Sequence, residues 1–258
     1  MKTRHFLLLA GLVLAMAFTF SCSSDDGGGG GGGGSVTYEG QKYKTVVIGE
    51  QVWFAENLNY AVAGSKCYGE GGILISYEES CDEEDCEIIE ITETLSNAEV
   101  QANCDKYGRL YDWATAMALP SICNDNSCSN QVQPKHRGIC PSGWHIPSDA
   151  EWTTLTDYVG SSTAGTELKA KSGWNSCGPS GSGSSYSCED TYEFSALPGG
   201  VGLYSGICRS VGDDGRWWSA TEGASYEAYY RGMYYSFSNV PRGNFDKPVL
   251  YSVRCVQD

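Results

Sequence analysis

Twelve cysteines are spread along this chain of 258 residues, and their number restricts the environment in which it can fold. None of them forms a Cys-x-x-Cys pair, which argues against zinc-ribbon and thioredoxin-like sites. Free thiols in such numbers are a liability in the reducing cytosol, whereas an oxidising compartment converts them into disulfides. We therefore expect an exported domain that is held together by several disulfide bonds.

The first residues of the chain have the pattern of an export signal. Lys2 and Arg4 precede an apolar stretch of fifteen residues, 6–20, which is shorter than the roughly 20 residues of a membrane-spanning helix. The sequence Thr-Phe-Ser-Cys that ends at Cys22 resembles a relaxed bacterial lipobox, in which the cysteine is acylated and becomes the mature N-terminus. The alternative is an ordinary cleaved signal with an incidental cysteine.

The residues after Cys22 favour the lipid anchor. Eight consecutive glycines, 27–34, cannot bury apolar surface and are typical of a flexible tether. We predict a lipoprotein signal peptide over residues 1–21, an acylated cysteine and tether over 22–35, and a folded domain over 36–258. Ser23 and the acids that follow resemble sorting signals for the outer membrane, so we expect a lipid-anchored, surface-exposed outer-membrane protein.

The charge of the chain narrows the class of partner. The formal net charge is −15, whereas nucleic-acid binding needs clustered Lys and Arg to neutralise phosphates. Nucleic acid is therefore not an expected partner. The chain also has 7 Trp and 17 Tyr, whose rings carry a polar group and suit both half-exposed surfaces and cores.

Local patterns in the first half of the domain predict a hairpin and a short helix. The β-rich runs 44–48 and 51–54 flank Gly49-Glu50, which predicts two antiparallel strands joined by a tight turn. Asp112 is a candidate cap for a helix over 113–119, which Pro120 would end.

The clearest predicted helix begins after Ser148. Ser148 and Glu151 have the spacing of a capping box, apolar residues then recur at helical spacing, and Gly160 ends the pattern. A second short helix is predicted over 166–171, and strands are predicted near 194, 217–218, 229–235 and 249–256. Few helices and many short strands with long loops indicate an α+β domain.

Two polar segments interrupt this pattern. Residues 78–93 contain nine acids together with Cys81 and Cys86, and residues 121–130 contain Cys123 and Cys128. Each cysteine pair can close a small local loop. The acidic segment lacks the glycine and the spacing of an EF-hand, so we expect a solvated loop there rather than a metal site.

Six short sequence motifs in the domain, which we call phrases, resemble those of a known family. They are WFAENL (53–58), YGRLYDWATAM (107–117), CPSGWHIPSDAEW (140–152), ALPGG (196–200), WWSATE (217–222) and SVRC (252–255). In this order they are similar to the Fibrobacter succinogenes major paralogous domain, a family of secreted and surface proteins. That family is similar in turn to the C-type-lectin and formylglycine-generating-enzyme (sulfatase-modifying-factor) folds. The resemblance implies a lectin-like α+β domain with short antiparallel strands, long loops and several disulfides. It does not indicate a particular biochemical activity.

The cysteines can be paired, although the Cys81/Cys86 segment, the Cys123/Cys128 loop and Cys208 depart from the family pattern. With Cys22 acylated, eleven remain, and we expect the disulfides Cys67–Cys104, Cys81–Cys86, Cys123–Cys128, Cys140–Cys255 and Cys177–Cys188. The lectin-like resemblance implies the Cys140–Cys255 bond, which would tie the start of the core to the last strand. Cys208 is left over, and a buried, inert thiol is the simpler expectation than a reactive or intermolecular one.

The sequence gives little support for catalysis. After the signal segment only His136 and His145 could serve as a histidine base, and no Ser or Cys nucleophile motif accompanies them. We expect His145 to be a packed structural residue and His136 to be solvated. A glycosidase pair of Glu222 with Asp213 or Asp214 is an alternative. Calcium would suit a lectin-like fold, but the usual sugar-binding signatures are absent, so no cofactor or metal is predicted.

The best candidate for a binding surface lies between Arg216 and Lys247. Aromatic rings stack on sugars and anchor interfaces, and Arg and Asn add directional hydrogen bonds. Neighbouring residues of a strand face opposite ways, so Trp217 and Trp218 cannot both reach one site. The simpler alternative is that Trp217 and every second tyrosine of this segment belong to the hydrophobic core. The predicted ligand-binding face consists of Arg216, Trp218, Tyr226, Tyr229, Tyr230, Arg231, Tyr234, Tyr235, Asn239, Arg242, Asn244 and Asp246.

These features favour non-catalytic recognition at the cell surface, with a carbohydrate or a cell-wall polymer as the first choice of ligand. A protein-binding adhesin or assembly component that uses the same face is the second hypothesis. A carboxylate-based glycoside hydrolase is the third.

Overall fold

The computed structural model describes residues 33–81, 86–178, 181, 183 and 186–258, with only the backbone of 75–81 and 86–90. The predicted signal peptide, Cys22 and most of the tether lie outside these residues. Within them the chain forms four α-helices, two 3-10 turns and fourteen strands, most of them short. The structure therefore confirms an α+β architecture. None of the described helices is long and apolar enough to cross a membrane.

The strands form three sheets and one two-stranded pair. The sheet orders are β1-β2-β3-β14-β6, β5-β4-β10-β9 and β11-β12-β13, and β7 pairs with β8. Most pairs are antiparallel, while β4–β10 and β7–β8 are parallel. The strand bounds are β1 Ser35–Tyr38, β2 Gln41–Ile48, β3 Gln51–Phe54, β4 Ile73–Cys81, β5 Cys86–Glu93, β6 Trp144–His145, β7 Cys177–Gly178, β8 Tyr186–Ser187, β9 Val201–Gly202, β10 Ile207–Arg209, β11 Asp214–Glu222, β12 Glu227–Tyr234, β13 Arg242–Asp246 and β14 Val256–Gln257.

The five-stranded sheet joins the start of the domain to its end. The predicted hairpin is confirmed, because β2 and β3 pair in antiparallel register up to Ile48 and Gln51. Gly49 in the turn has φ +62°, a conformation that glycine adopts without steric cost. The last strand, β14, lies between β3 and β6. The first and last strands of the domain therefore share one sheet.

Four helices pack around these sheets: α1 Asn97–Tyr107, α2 Trp113–Ala116, α3 Asp149–Val159 and α4 Ala164–Leu168. Helix α3 confirms the prediction, since Ser148 and Glu151 form both hydrogen bonds of the capping box. Helix α2 has the predicted cap at Asp112 but is shorter than predicted, because Ala118 adopts φ +52°. Helix α4 is displaced from the predicted 166–171, because Lys169 becomes extended and bridges to Ala196.

The segment before the second family phrase differs most from the sequence expectation. The acidic residues 78–93 were expected to form a solvated loop, but the backbone forms the antiparallel hairpin β4–β5. Its β-branched isoleucines favour strands despite the charge. The side chains of the predicted Cys81–Cys86 pair lie outside the described residues. Helix α1 was not predicted, although Ser96 and Glu99 form a second capping box.

Four of the expected disulfides are present: Cys67–Cys104, Cys123–Cys128, Cys140–Cys255 and Cys177–Cys188. The Cys140–Cys255 bond has the largest sequence separation, 115 residues. Among the cysteines whose side chains the structure describes, Cys208 is the one without a disulfide partner, and it is buried. Burial raises the pKa of the Cys208 thiol, which makes it a poor nucleophile.

Two buried clusters lie on opposite sides of strand β11. Trp217 packs in one of them beside Trp53 and Trp152, and Trp218 packs in the other against Tyr251, with 4.4 Å between the ring centroids. The predicted alternation of Trp217 and Trp218 is therefore confirmed. Both rings are fully buried, however, because each face of this strand is covered.

The closing phrase of the domain contains a buried cation. Arg254 is inaccessible to solvent, and its Nε donates to Asn57 Oδ1 at 3.0 Å. The rest of the guanidinium donates to the carbonyl oxygens of Phe54, Phe194 and Ser195. Burial lowers the pKa of Arg254 to about 9. This side chain fixes the loop around residue 195 to the core.

Candidate functional site

The predicted ligand-binding residues lie mostly on the three-stranded sheet β11-β12-β13. Strand β12 is central, and its register with β13 places Tyr229 opposite Asn244 and Arg231 opposite Arg242. Paired residues point to the same face of a sheet. Tyr229, Arg231, Arg242 and Asn244 therefore lie on one face, whereas Tyr230 lies on the other. The predicted site is thus split between two faces and does not form one surface.

The Tyr229 face is committed to internal contacts. The Asp149 carboxylate at the start of α3 accepts hydrogen bonds from Arg231 and Arg242, both at 2.8 Å. The Arg242 guanidinium also lies 3.7 Å from the centroid of the Tyr229 ring. Arg231 is buried, so its predicted role in ligand binding is wrong. It anchors α3 to the sheet.

Other residues of the predicted face also have structural partners. Trp218 is fully buried, and its Nε1 donates to the carbonyl oxygen of Tyr111 at 2.8 Å, so its assignment to the binding face is wrong. Tyr235 follows β12 and packs against Tyr186, with 5.5 Å between the ring centroids. Asn244 donates to the Glu227 carboxylate at 2.6 Å, and Asn239 is exposed on the loop before β13.

The opposite face of the sheet presents a row of aromatic side chains around Arg216. We call Arg216, Tyr230, Tyr234, Phe237 and Phe245 the aromatic row. The Arg216 guanidinium carbon lies 5.6 Å from the Tyr230 ring centroid and 5.5 Å from that of Tyr234. Phe237 lies edge-on to Tyr234 at 5.2 Å, and Phe237 and Phe245 are 51% and 37% exposed.

Two glycines let the tyrosine rings of this row lie against the backbone. A Cβ atom at Gly243 would stand 2.7 Å from the Tyr230 ring, and one at Gly232 would stand 3.1 Å from the Tyr234 ring. A distance of 2.7 Å is shorter than the contacts that Cβ atoms make in proteins, so a larger residue at position 243 would displace the Tyr230 ring. The two rings therefore follow the sheet surface closely and keep their outer sides partly exposed.

A buried lysine positions one end of the aromatic row. Lys169 Nζ donates to the carbonyl oxygens of Tyr234 and Phe237 at 3.0 and 2.9 Å, and it also contacts that of Tyr235. Burial lowers the pKa of Lys169 to about 8. The lysine therefore fixes the turn after β12, which carries Phe237.

Burial keeps the phenol of Tyr234 neutral. Burial raises the pKa of Tyr234, the Arg216 charge opposes this shift, and the hydrogen bond with Tyr230 raises the pKa further. Burial also raises the pKa of Asp214, although its ion pair with Arg216 at 3.0 Å opposes the shift. The row therefore presents rings and hydroxyl groups with one partly buried cation.

A small cavity lies where the chain leaves strand β13. Its volume is about 270 Å³, and its lining includes Tyr204, Tyr226, Asp125 and Asp246, together with Asn124 and Pro248. Tyr204 is 79% exposed and Tyr226 is 56% exposed. We call it the tyrosine cavity. It contains two of the predicted face residues, Tyr226 and Asp246, and its volume is just below the range of about 300–1,000 Å³ that small-molecule sites occupy.

The carboxylates of the hydrolase hypothesis do not come together. Asp214 and Glu222 stand at the two ends of β11, eight residues and about 26 Å apart at the usual rise of a strand. Asp213 precedes this strand and accepts a hydrogen bond from Asn175 at 3.1 Å. Both separations exceed those of a glycosidase pair, about 5–9.5 Å. The predicted pairing of Glu222 with Asp213 or Asp214 is therefore wrong.

Both histidines have internal partners. His145 is buried, and its two ring nitrogens each lie 2.8 Å from a carboxylate oxygen, of Glu151 and of Asp258. His136 is only partly exposed: Nδ1 accepts from the Gln133 N–H, so Nε2 donates to the Met117 carbonyl oxygen at 2.8 Å. The structural role expected for His145 agrees with this geometry, while His136 is more constrained than a solvated side chain.

In the described part of the chain, no group of three or more His, Cys, Asp or Glu side chains is arranged to hold a metal ion. The comparisons with known proteins give one match. A model of the Fibrobacter succinogenes major domain family matches residues 46–257. The chain belongs to this family. No curated protein and no solved structure matches the chain.

The phrases that carry the resemblance to the Fibrobacter succinogenes major domain family form the interior of this domain. Their tryptophans are buried, and the Trp53 and Trp152 rings lie 4.8 Å apart. His145, in the same phrase as Trp152, and Arg254, in the closing phrase, are buried and hydrogen-bonded. The phrases therefore specify the framework of the domain.

Sequence reasoning missed several exposed residues of this Fibrobacter succinogenes major domain. Tyr204, Asp125, Phe237 and Phe245 were not in the predicted face, and all of them lie outside the six phrases. Tyr204 stands in a Gly-Leu-Tyr-Ser-Gly turn, where an isolated large ring between glycines has no strand or helix to bury it. That turn was the one signal in the sequence that could have identified it.

Proposed function

We propose that this domain is a non-catalytic recognition module that binds carbohydrate or a cell-wall polymer at the cell surface. The tyrosine cavity carries this proposal, because the exposed rings of Tyr204 and Tyr226 flank the carboxylates of Asp125 and Asp246. Aromatic rings pack against the apolar faces of sugar rings, and carboxylates accept hydrogen bonds from their hydroxyl groups. The cavity is large enough for a single sugar ring.

The aromatic row supports an extended ligand. Strand β13 carries Phe245 and Asp246 in succession, so the tyrosine cavity and the row share a strand. Because neighbouring residues of a strand face opposite ways, a chain of sugar rings that enters the cavity beside Asp246 would pass over the free edge of β13 to reach the exposed ring of Phe245. The net charge of −15 favours a neutral polymer over an acidic one, since like charges repel.

The proposal includes the cellular location of the domain. Acylation of Cys22 and the glycine tether would hold the domain on the outer membrane, with its binding surface directed outward. The lectin-like fold is also proposed, and it is supported by the Cys140–Cys255 bond that ties the start of one half of the domain to its last strand. Membrane attachment would place many copies side by side, and multivalent contact would then increase a weak affinity for a polymer.

A protein partner is the second candidate, and one observation favours it. Ile122 is 59% exposed on the loop that also carries Asp125. An exposed aliphatic side chain beside exposed tyrosines suits the apolar centre of a protein interface. A surface adhesin or an assembly component would use the same part of the domain.

A hydrolase is the least favoured candidate. A glycosidase needs a carboxylic acid with a raised pKa to protonate the leaving group. Burial raises the pKa of Glu222. The hydrogen bonds from Lys247, the Cys128 N–H and Ser127 lower it by more, so the net shift of the pKa is downward. Glu222 is therefore ionised at neutral pH and unsuited to donate a proton.

The proposal is tested by retention of the purified full-length protein on insoluble plant and bacterial wall polysaccharides, with calcium and with chelator. We expect retention on at least one polymer and a loss of retention in the Phe237→Ala/Phe245→Ala variant. Tyr158→Ala is the matched control, because Tyr158 is 60% exposed on helix α3 and its ring lies beside Tyr192, which belongs neither to the aromatic row nor to the tyrosine cavity. Absence of retention on every polymer would reject carbohydrate binding and favour the protein partner.

A further inference from the structure

A larger cavity lies on another part of the domain. It is formed by the loop of residues 129–136, the start of helix α3 and the end of strand β11, and its volume is about 570 Å³. This volume falls within the range of about 300–1,000 Å³ that small-molecule sites occupy. The carbohydrate proposal does not use this cavity.

The lining of this cavity combines an apolar wall with two carboxylates. The wall consists of Val132, Pro134, Ile146 and Ala220, and the carboxylates belong to Glu151 and Glu222. Ile146 and Ala220 are buried members of the core, so the wall is rigidly supported. A ligand that fills this space therefore meets an apolar surface and two carboxylates, with the ammonium group of Lys135 at the rim.

Each carboxylate is held in place by a buried basic side chain. Glu151 Oε1 accepts from His145 at 2.8 Å, while Oε2 accepts from the backbone and hydroxyl of Ser148. Glu222 Oε1 accepts from Lys247 at 2.8 Å and from the Cys128 N–H at 2.7 Å. These contacts favour the ionised form of both carboxylates, since each partner donates a hydrogen bond to them.

Each carboxylate retains room for one more donor. A carboxylate oxygen has about two acceptor positions. Within the described part of the chain, Glu151 Oε1 accepts one hydrogen bond, from His145, and Glu222 Oε2 accepts one, from Ser127 at 2.7 Å. One acceptor position on each residue is therefore left for a ligand in the cavity.

The charged side chains around the cavity determine whether it attracts a positively or a negatively charged ligand. His136 also lines the cavity, and its Nδ1 accepts a hydrogen bond from the Gln133 N–H. Lys135 is exposed at the rim, so the charged side chains that line the cavity are two carboxylates and one ammonium group, and their summed charge is negative. The net charge of the chain is −15, and a cleft lined by carboxylates concentrates such a field. Cations are attracted to this cavity and anions are repelled.

We propose that this cavity binds a compact organic cation, in which an ammonium group is carried on a short apolar chain. The ammonium group donates charge-assisted hydrogen bonds to Glu151 and Glu222, which are stronger than those from a neutral hydroxyl group. The apolar chain packs against Val132, Ile146 and Ala220. This site is separate from the tyrosine cavity, and its occupation does not depend on carbohydrate binding.

Three probes of similar size but different charge test this proposal: n-butylammonium, 1-butanol and butyrate. Each is titrated into the purified full-length protein, and NMR shifts of the Val132 and Ala220 methyl groups report binding. We expect n-butylammonium to bind roughly tenfold more tightly than 1-butanol, the difference between charged and neutral hydrogen bonds, and butyrate not to bind. Equal affinities for the ammonium and the alcohol, or no shifts at these methyl groups, would overturn the proposal.

A variant locates the site. Ala220→Leu places three additional carbon atoms in the cavity and is expected to abolish n-butylammonium binding. Ala224→Leu, the same change at an exposed turn residue, is the matched control and should leave binding unchanged. Unchanged binding in a folded Ala220→Leu protein would overturn the proposal.

If Ala220→Leu does not fold, Lys135→Gln provides a second test. This change removes the exposed cation from the rim and should increase the n-butylammonium affinity about two- to fivefold, the usual range for a surface charge interaction. An unchanged or decreased affinity would overturn the proposal, since the sign of the charge would then not matter.

Discussion

The ammonium group of Lys247 lies 2.8 Å from the carboxylate of Glu222, and both groups are shielded from solvent. Lys247 Nζ also donates to the carbonyl oxygens of Cys123, Ser225 and Asn126. The Glu222 carboxylate accepts from the Cys128 N–H. This ion pair therefore ties the Cys123–Cys128 loop to strand β11 and to the start of β12.

Replacing this lysine should destabilise the domain strongly. Lys247→Met removes the cation that pairs with the Glu222 carboxylate and the donor to three carbonyl oxygens, and the loss of one partner of a buried pair costs about 3–5 kcal/mol. Denaturant unfolding followed by tryptophan fluorescence measures this cost. Lys171→Met, at an exposed lysine, should change the free energy of unfolding by less than about 0.5 kcal/mol. Similar unfolding midpoints for the two variants would contradict this interpretation.

His145 should make stability depend on pH. Burial lowers the pKa of His145, but its hydrogen bonds with Glu151 and Asp258 raise it more, so the net shift is upward. A group whose pKa is higher in the folded state stabilises the fold fully below its unfolded pKa, about 6.5 for histidine. This stabilisation is lost as the pH rises through the folded value.

The free energy of unfolding measured between pH 6 and pH 7.5, below the depressed pKa of about 8 of Lys169, tests this dependence. The wild-type protein should lose stability as the pH rises, and Asp258→Asn should lose less, because one of the two carboxylates that raise the His145 pKa is then neutral. Asp157→Asn, at an exposed acid on helix α3, should follow the wild-type profile. A wild-type stability that rises steadily over this range would contradict the assignment.

The two disulfides with the longest and shortest loops should differ in their effect. On the chain-entropy estimate the Cys140–Cys255 bond, which closes 115 residues, stabilises the fold by about 5 kcal/mol. The Cys123–Cys128 bond, with a separation of five residues, contributes about 2 kcal/mol.

Paired serine variants test this difference by thermal unfolding. Cys140→Ser/Cys255→Ser should lower the midpoint more than Cys123→Ser/Cys128→Ser does. The reverse order would show that Lys247 and its partners, rather than loop closure, dominate the stability of this region.

Local chemistry predicted the parts of the fold that depend on a few neighbouring residues. The capping box of Ser148 and Glu151 and the turn at Gly49 are such cases, because the hydrogen bonds and the backbone conformation involved are local. Helix α1 has a similar capping box, but its described buried residues are Cys104 and Tyr107, so its apolar periodicity is too weak to predict a helix.

The candidate site was predicted only in part, because exposure depends on contacts distant in sequence. Alternation correctly placed Trp217 and Trp218 on opposite faces of a strand, yet it cannot show that Tyr251 covers one face and Trp152 the other. Tyr226 and Asp246 were predicted, but their neighbour Tyr204 comes from a turn more than twenty residues earlier in the chain. The periodicity of apolar residues along the chain does not show which residues distant in sequence come into contact.

The carbohydrate proposal is tested most directly by the binding isotherm of the Tyr204→Ala/Tyr226→Ala variant on a polysaccharide that retains the wild-type protein. We predict that affinity falls by at least about thirtyfold, since one central aromatic contact is worth about 2 kcal/mol. Tyr158→Ala should bind like the wild type, and both variants should unfold at similar denaturant concentrations, because all three tyrosines are exposed. Wild-type affinity in the double variant would contradict the assignment of the tyrosine cavity as the binding site.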